Sequence, residues 1–111
     1  MVRPELDIES KGSRLRLSGE IDMSTADLLA PAIAGATAHG SPVLLEISAV
    51  TFLDSTGIRE LLAALRAMLE GCILLHGVRG GVARVLEVTG VAGIPRMHVI
   101  PCEEFALVET H

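Results

Sequence analysis

The chain has no tryptophan, no tyrosine and only two phenylalanines among its 111 residues. Half of the residues are nonetheless hydrophobic, so the core must be aliphatic, built from Leu, Val, Ile and Ala. Two cysteines, Cys72 and Cys102, are too few and too far apart for a disulfide framework or a zinc site. Cys72 opens an apolar run and is expected as a buried free thiol. No apolar run approaches the ~18–20 residues that a membrane span needs. The start, Met-Val-Arg-Pro-Glu-Leu-Asp, has acidic residues where a signal peptide would have its apolar core. Both absences lead us to expect a soluble, cytoplasmic protein. Positive charge is also scarce: the net charge is −5 and the nine Lys and Arg are scattered along the chain, which argues against nucleic acid as a partner. A length of 111 residues suits one domain, 1–111, with a real core and no room for a second.

What is present is a periodic pattern. Leu6-Asp7-Ile8-Glu9-Ser10 and Arg14-Leu15-Arg16-Leu17-Ser18 alternate apolar with polar, the period of half-buried strands. Lys11-Gly12-Ser13 between them suits the turn of an antiparallel hairpin. Gly19 to Met23 reads as a loop. Ser24 or Thr25 then starts a first helix through about His39, with Leu29, Ile33 and Ala36 facing inward. Pro31 costs ~3 kcal/mol in a helix interior, so either that helix is kinked or its regular part begins near Ala30 with Pro31 in the first turn.

Gly40-Ser41-Pro42 breaks the chain before a strand at Val43–Ser48. Ile58, Leu61, Leu62, Leu65, Met68 and Leu69 then fall on one face of a second helix, expected to end at Gly71. Cys72 to His76 is an unbroken apolar run, as in a strand covered on both faces. Gly80-Gly81 precedes a third helix with Val82, Val85 and Leu86 inward, stopped by Gly90. Met97–Ile100 reads as the last strand, and Glu103–Val108 as a fourth, terminal helix after Pro101. The order β-β-α-β-α-β-α-β-α predicts an α/β domain: a mixed, mostly parallel sheet of about five strands with an N-terminal hairpin and four helices.

Catalytic and metal chemistry fail on spacing. A nucleophile elbow needs Gly two residues either side of its Ser; Gly57 stands on one side of Ser55, but Leu53 stands on the other. No base is placed to activate the hydroxyl, and nothing makes Ser55 a catalyst. His39, His76, His98 and His111 are dispersed, without ligand spacing, so neither a metal nor a cofactor is expected. Gly77-Val78-Arg79-Gly80-Gly81 follows a strand and opens a helix, but it lacks both phosphate-loop patterns. Asp54-Ser55-Thr56-Gly57 remains, between the third strand and the second helix. Its plain reading is a helix N-cap, for which Ser, Thr and Asp are all suited, although the Glu or Gln of a capping box is missing. A functional reading needs only an accessible hydroxyl. A phosphate on Ser55 would add ~1.5–2 negative charges at a helix N-terminus, which tolerates an anion, while a partner docked there would meet a new charge beside Asp54.

Three stretches carry a family resemblance: Leu-Ser-Gly-Glu-Ile-Asp at 17–22, Val-Thr-Phe-Leu-Asp-Ser-Thr-Gly-Ile-Arg-Glu-Leu at 50–61 and Val-Ala-Arg-Val-Leu-Glu-Val-Thr-Gly-Val at 82–91. Together they resemble the STAS domain of bacterial anti-sigma factor antagonists, in the family's order of elements over nearly the whole chain. The resemblance implies an antagonist that is not itself an enzyme. Its unphosphorylated form would bind a cognate anti-sigma factor serine kinase and release the sigma factor. That kinase would phosphorylate Ser55, with Thr56 as a second hydroxyl, and a serine phosphatase would reverse the modification. It also implies a partner surface beside the serine, made from Glu20, Asp22, Met23, Ser24, Asp54, Thr56, Gly57 and Arg59. Arg66, seven residues beyond Arg59, points the same way along the helix or is simply solvated. The alternative is a STAS sensory or scaffolding module that binds a small ligand or like domains without phospho-control.

Overall fold

A computed structural model of the chain describes residues 6–101. Five strands, β1 (Leu6–Lys11), β2 (Arg14–Ile21), β3 (Val43–Leu53), β4 (Ile73–Val78) and β5 (Met97–Pro101), form one sheet in sequence order. β1 and β2 pair antiparallel as the expected hairpin, and every later pair is parallel. Helices α1 (Leu29–Thr37), α2 (Ser55–Ala67) and α3 (Gly80–Val88) make the crossovers. The described residues thus contain three α-helices rather than four; Glu103–Val108, expected as a terminal helix, lies outside them. None of these helices is long and apolar enough to cross a membrane.

Strand order decides which face the helices cover. Right-handed crossovers are nearly universal, and each new parallel strand is added on the same side of the last. Every crossover helix therefore falls on the same face. Burial agrees: Leu15 and Leu17 of β2, Val43, Leu45 and Ile47 of β3, Ile73 and Leu75 of β4 and Met97 of β5 all belong to one core. Leu29 and Ile33 of α1, Leu61 and Leu65 of α2 and Val82 and Leu86 of α3 complete it. Each such Leu or Ile contributes about 1.5–3 kcal/mol by leaving water. Among the described residues the apolar run of β4 is accordingly covered by helices on one face, not two, and Leu74 and His76 are only half-buried. Cys72, expected buried, is likewise half-buried and free.

Several boundaries differ from the local pattern for identifiable reasons. β2 takes in Gly19–Ile21, expected as loop, because β3 runs on to Leu53 and pairs with it through Ile21↔Leu53, with irregularities near Arg16–Ser18 and Gly19–Glu20. Ahead of α1, Ala26–Leu28 form a 3-10 turn, and α1 starts at Leu29. Pro31 therefore occupies the first helical turn, where its missing N–H is no loss. α2 stops at Ala67, four residues before Gly71, because Met68 turns extended. Leu69, expected on the buried face, is in consequence fully exposed. The Arg96 side chain closes this end: Nε donates to the Gly71 carbonyl at 2.6 Å and a terminal nitrogen to the Met68 carbonyl at 2.9 Å.

Candidate functional site

The end of β3 delivers Asp54 and Ser55 to the edge of the core. Asp54 has extended backbone and is the N-cap of α2, its Oδ1 accepting from the amides of Thr56 at 3.0 Å and Gly57 at 3.2 Å. Which hydroxyl or carboxylate caps the helix is thereby decided: Asp54 satisfies the orphan N–H groups, not Ser55 or Thr56. Ser55 is the first helical residue and is exposed, and its hydroxyl makes no hydrogen bond among the described residues. Thr56 is half-buried.

Gly57 is buried, so its place in the motif follows from packing. A Cβ there would lie 2.6 Å from Ile21 Cγ2 and 2.6 Å from Leu53 Cδ1. The bare backbone lets the first turn of α2 settle onto the ends of β2 and β3. The glycine thus holds Ser55 at its position but offers no side chain to a partner.

The loop after β2 lies alongside. Thr25 is fully buried; its hydroxyl donates to the Glu20 carbonyl at 2.8 Å and accepts from the Asp22 amide at 3.0 Å. Asp22 Oδ1 accepts from the Ser24 amide at 2.9 Å and the Ser24 hydroxyl at 2.7 Å. The Asp54 amide donates to the Ile21 carbonyl at 3.2 Å, tying loop and helix start together. Met23, 81% exposed, projects from this loop, and Phe52, 47% exposed, stands beside it at the end of β3. Asp22, Met23, Ser24, Phe52 and Asp54 line one shallow concavity of about 480 Å³.

Of the expected surface, the structure thus brings Asp22, Met23, Ser24 and Asp54 together. Glu20 and Thr56 are half-buried, and Arg59 is exposed one turn along α2, as is Arg66 beyond it. Phe52 is the residue that sequence reasoning passed over. Its exposure depends on where β3 ends: Thr51 and Phe52 are both exposed between inward Val50 and Leu53, a break in alternation that the local pattern does not mark. Among the described residues, no group of three or more His, Cys, Asp or Glu side chains converges as a metal site would need.

Asp22 is held below the usual carboxylate range, first by the Ser24 hydroxyl and then by the Ser24 amide, outweighing the opposing effect of burial. A depressed carboxylate stabilises the folded loop above its ordinary pKa, and that contribution disappears as pH falls through the depressed value. Ser24→Ala removes the largest cause. It is expected to return the Asp22 titration towards the ordinary carboxylate range in a carbon-detected NMR pH titration; an unmoved titration would show that the backbone contacts alone hold the charge.

The family model described as "Mlab, STAS domain" matches residues 5–101. The chain belongs to the STAS-domain family. It is also similar to the crystal structure of an anti-sigma factor antagonist from Mycobacterium paratuberculosis, with 27% identity, a TM-score of 0.70 and coverage of 98% of this chain and 97% of that chain. No curated protein matches the chain by sequence. The resemblance to STAS domains of the anti-sigma factor antagonist family is borne out, as is the five-stranded mixed sheet. In this STAS domain Asp22, Met23, Ser24, Phe52 and Asp54 line one concavity, and Ser55 follows Asp54 as the exposed first residue of α2.

Proposed function

We propose that the protein is an anti-sigma factor antagonist whose unphosphorylated form binds a cognate anti-sigma factor kinase and so frees a sigma factor, and that phosphorylation of Ser55 switches it off. The observation that carries this reading is the position of Ser55. It stands exposed at the first position of α2, and its hydroxyl is spared structural work because Asp54 provides the cap.

Modification there leaves the fold intact, since a helix N-terminus favours negative charge. Docking is another matter. Met23 and Phe52 supply the exposed apolar contacts of the surface, with Asp22 and Asp54 as its charged rim. A phosphate would add to two carboxylates already present, and a partner shaped for the free hydroxyl would have to desolvate the new anion. A serine phosphatase restores the binding form.

The test is direct phosphorylation. Incubated with the cognate kinase and ATP, the protein is expected to take up one phosphoryl group, mapped by mass spectrometry to Ser55. Ser55→Ala should abolish uptake while Thr56→Ala retains it. Uptake at Thr56 alone, or none at either position, would overturn the reading.

A further inference from the structure

The basic residues scattered through the sequence are not scattered on the sheet. On the face opposite the helices, strand register places Lys11 beside Arg14 and Glu9 beside Arg16. It continues from Arg14 to Leu44 and from Arg16 to Glu46, then from Glu46 to His76. These side chains surround a concavity of about 650 Å³, with Ser48 at its far end. Gly77 approaches Ser48 so closely that a Cβ would lie 2.7 Å from the Ser48 Cβ, and its φ of +85° is one that glycine tolerates best.

Charge across this basin is unbalanced. The Glu46 carboxylate is engaged by His76, at 2.7 Å from Nδ1. Lys11, Arg14 and Arg16 form no ion pair with any described residue. Three cations thus line one concavity, with Glu9 as the other carboxylate of its lining besides Glu46, on a protein whose net charge is −5. The basin is too large for a bare ion and falls within the range of small-molecule sites, ~300–1,000 Å³. Two guanidinium groups on one strand, two residues apart and therefore on one face, suit a phosphate, which they can grip with paired N–H groups. Glu46 and the hydroxyl of Ser48 offer acceptors to a ligand that carries hydroxyl groups.

We propose that this open face binds a small phosphorylated polyol of the sugar-phosphate class, its phosphate held by Lys11, Arg14 and Arg16 and its hydroxyls by Glu46 and Ser48. The site is separate from the modification site. Glu46 and Asp54 are eight residues apart along the chain, roughly 25 Å at 3.3 Å per extended residue, and Ser55 does not line the basin. The proposal therefore stands whether or not Ser55 is phosphorylated.

The experiment is an NMR titration of the ¹⁵N-labelled full chain with glucose 6-phosphate, ribose 5-phosphate and glycerol 3-phosphate, and separately with inorganic phosphate, at constant ionic strength. Saturable shifts are expected in the amides around Arg14–Arg16, Ser48 and Gly77 with at least one organic phosphate, roughly tenfold tighter than with inorganic phosphate. The doubly substituted Arg14→Ala, Arg16→Ala protein should bind roughly tenfold more weakly or worse while keeping its dispersed spectrum, because both side chains are exposed. Ser55→Asp should bind as well as the parent. Absence of saturable shifts with all three organic phosphates overturns the proposal, and so does undiminished binding by the double variant. Equal affinity for inorganic phosphate would mean an adventitious ion only, and shifts centred on Ser55 would place the ligand elsewhere; either result also overturns it.

Discussion

Ser55→Asp is expected to abolish binding to the cognate anti-sigma factor kinase, whereas Ser55→Ala should bind as the unmodified protein does and escape switching. Asp at the first helical position adds a carboxylate to the surface that already carries Asp54 and Asp22. In the free protein that charge is harmless or slightly favourable, contributing ~0.3–1 kcal/mol with the helix dipole, so the melting temperature should stay level or rise. In the complex it must be desolvated beside like charges. A penalty of about 2–4 kcal/mol follows, corresponding to roughly 30- to 1,000-fold in affinity. Isothermal titration calorimetry of both variants decides the matter. Equal binding by Ser55→Asp and Ser55→Ala, with both proteins folded, would sink the switch.

The second large effect falls on stability at Gly57. A Cβ at this position meets Ile21 Cγ2 and Leu53 Cδ1, each at 2.6 Å. The Leu53 methyl lies at the end of a flexible side chain and can yield. Ile21 is β-branched, stiff at χ1 and buried, so the first turn of α2 must move instead. Overpacking of this kind costs about 1–3 kcal/mol, offset in Gly57→Ala by up to ~1 kcal/mol of helix propensity. Gly57→Val adds two methyl groups beyond the alanine Cβ and loses that propensity gain, for a net loss of about 2–4 kcal/mol. The melting temperature is then expected to fall by roughly 10 °C in a domain of this size, with Gly57→Ala in between. Unchanged melting of Gly57→Val would mean that the motif glycine is not a packing requirement. The same displacement would shift Ser55, so kinase binding and phosphorylation should weaken together with stability.

Much of the architecture was legible because its signals are local. Alternation marked β1 and β2, a 3.6-residue period marked α2, and Gly90, with φ of +80°, stops α3 where expected. The less legible parts depend on neighbours distant in sequence. Gly19–Ile21 read as loop because Gly19 interrupts the apolar positions at Leu17 and Ile21, yet a long β3 recruits them into the sheet. Leu69 continued the helical period but is exposed, since Met68 leaves helical geometry and Arg96, held in β5's approach from across the fold, takes up the Met68 and Gly71 carbonyls. Phe52 was passed over at the candidate site because its exposure depends on where β3 ends.

By itself, then, the amino-acid sequence determined the kind and order of the elements, the aliphatic core and the hydroxyl-bearing turn between β3 and α2, because each of these is written within a few residues. Only the tertiary structure decided what the turn and the sheet present. Asp54, rather than Ser55, caps α2, a choice set by how β3 enters the helix. Gly57 is required by Ile21, thirty-six positions earlier, which no local pattern could reveal. The helices cover one face because successive crossovers share one hand and one direction of strand order. Among the described residues no helix covers the other face, where the hairpin register gathers Lys11, Arg14 and Arg16.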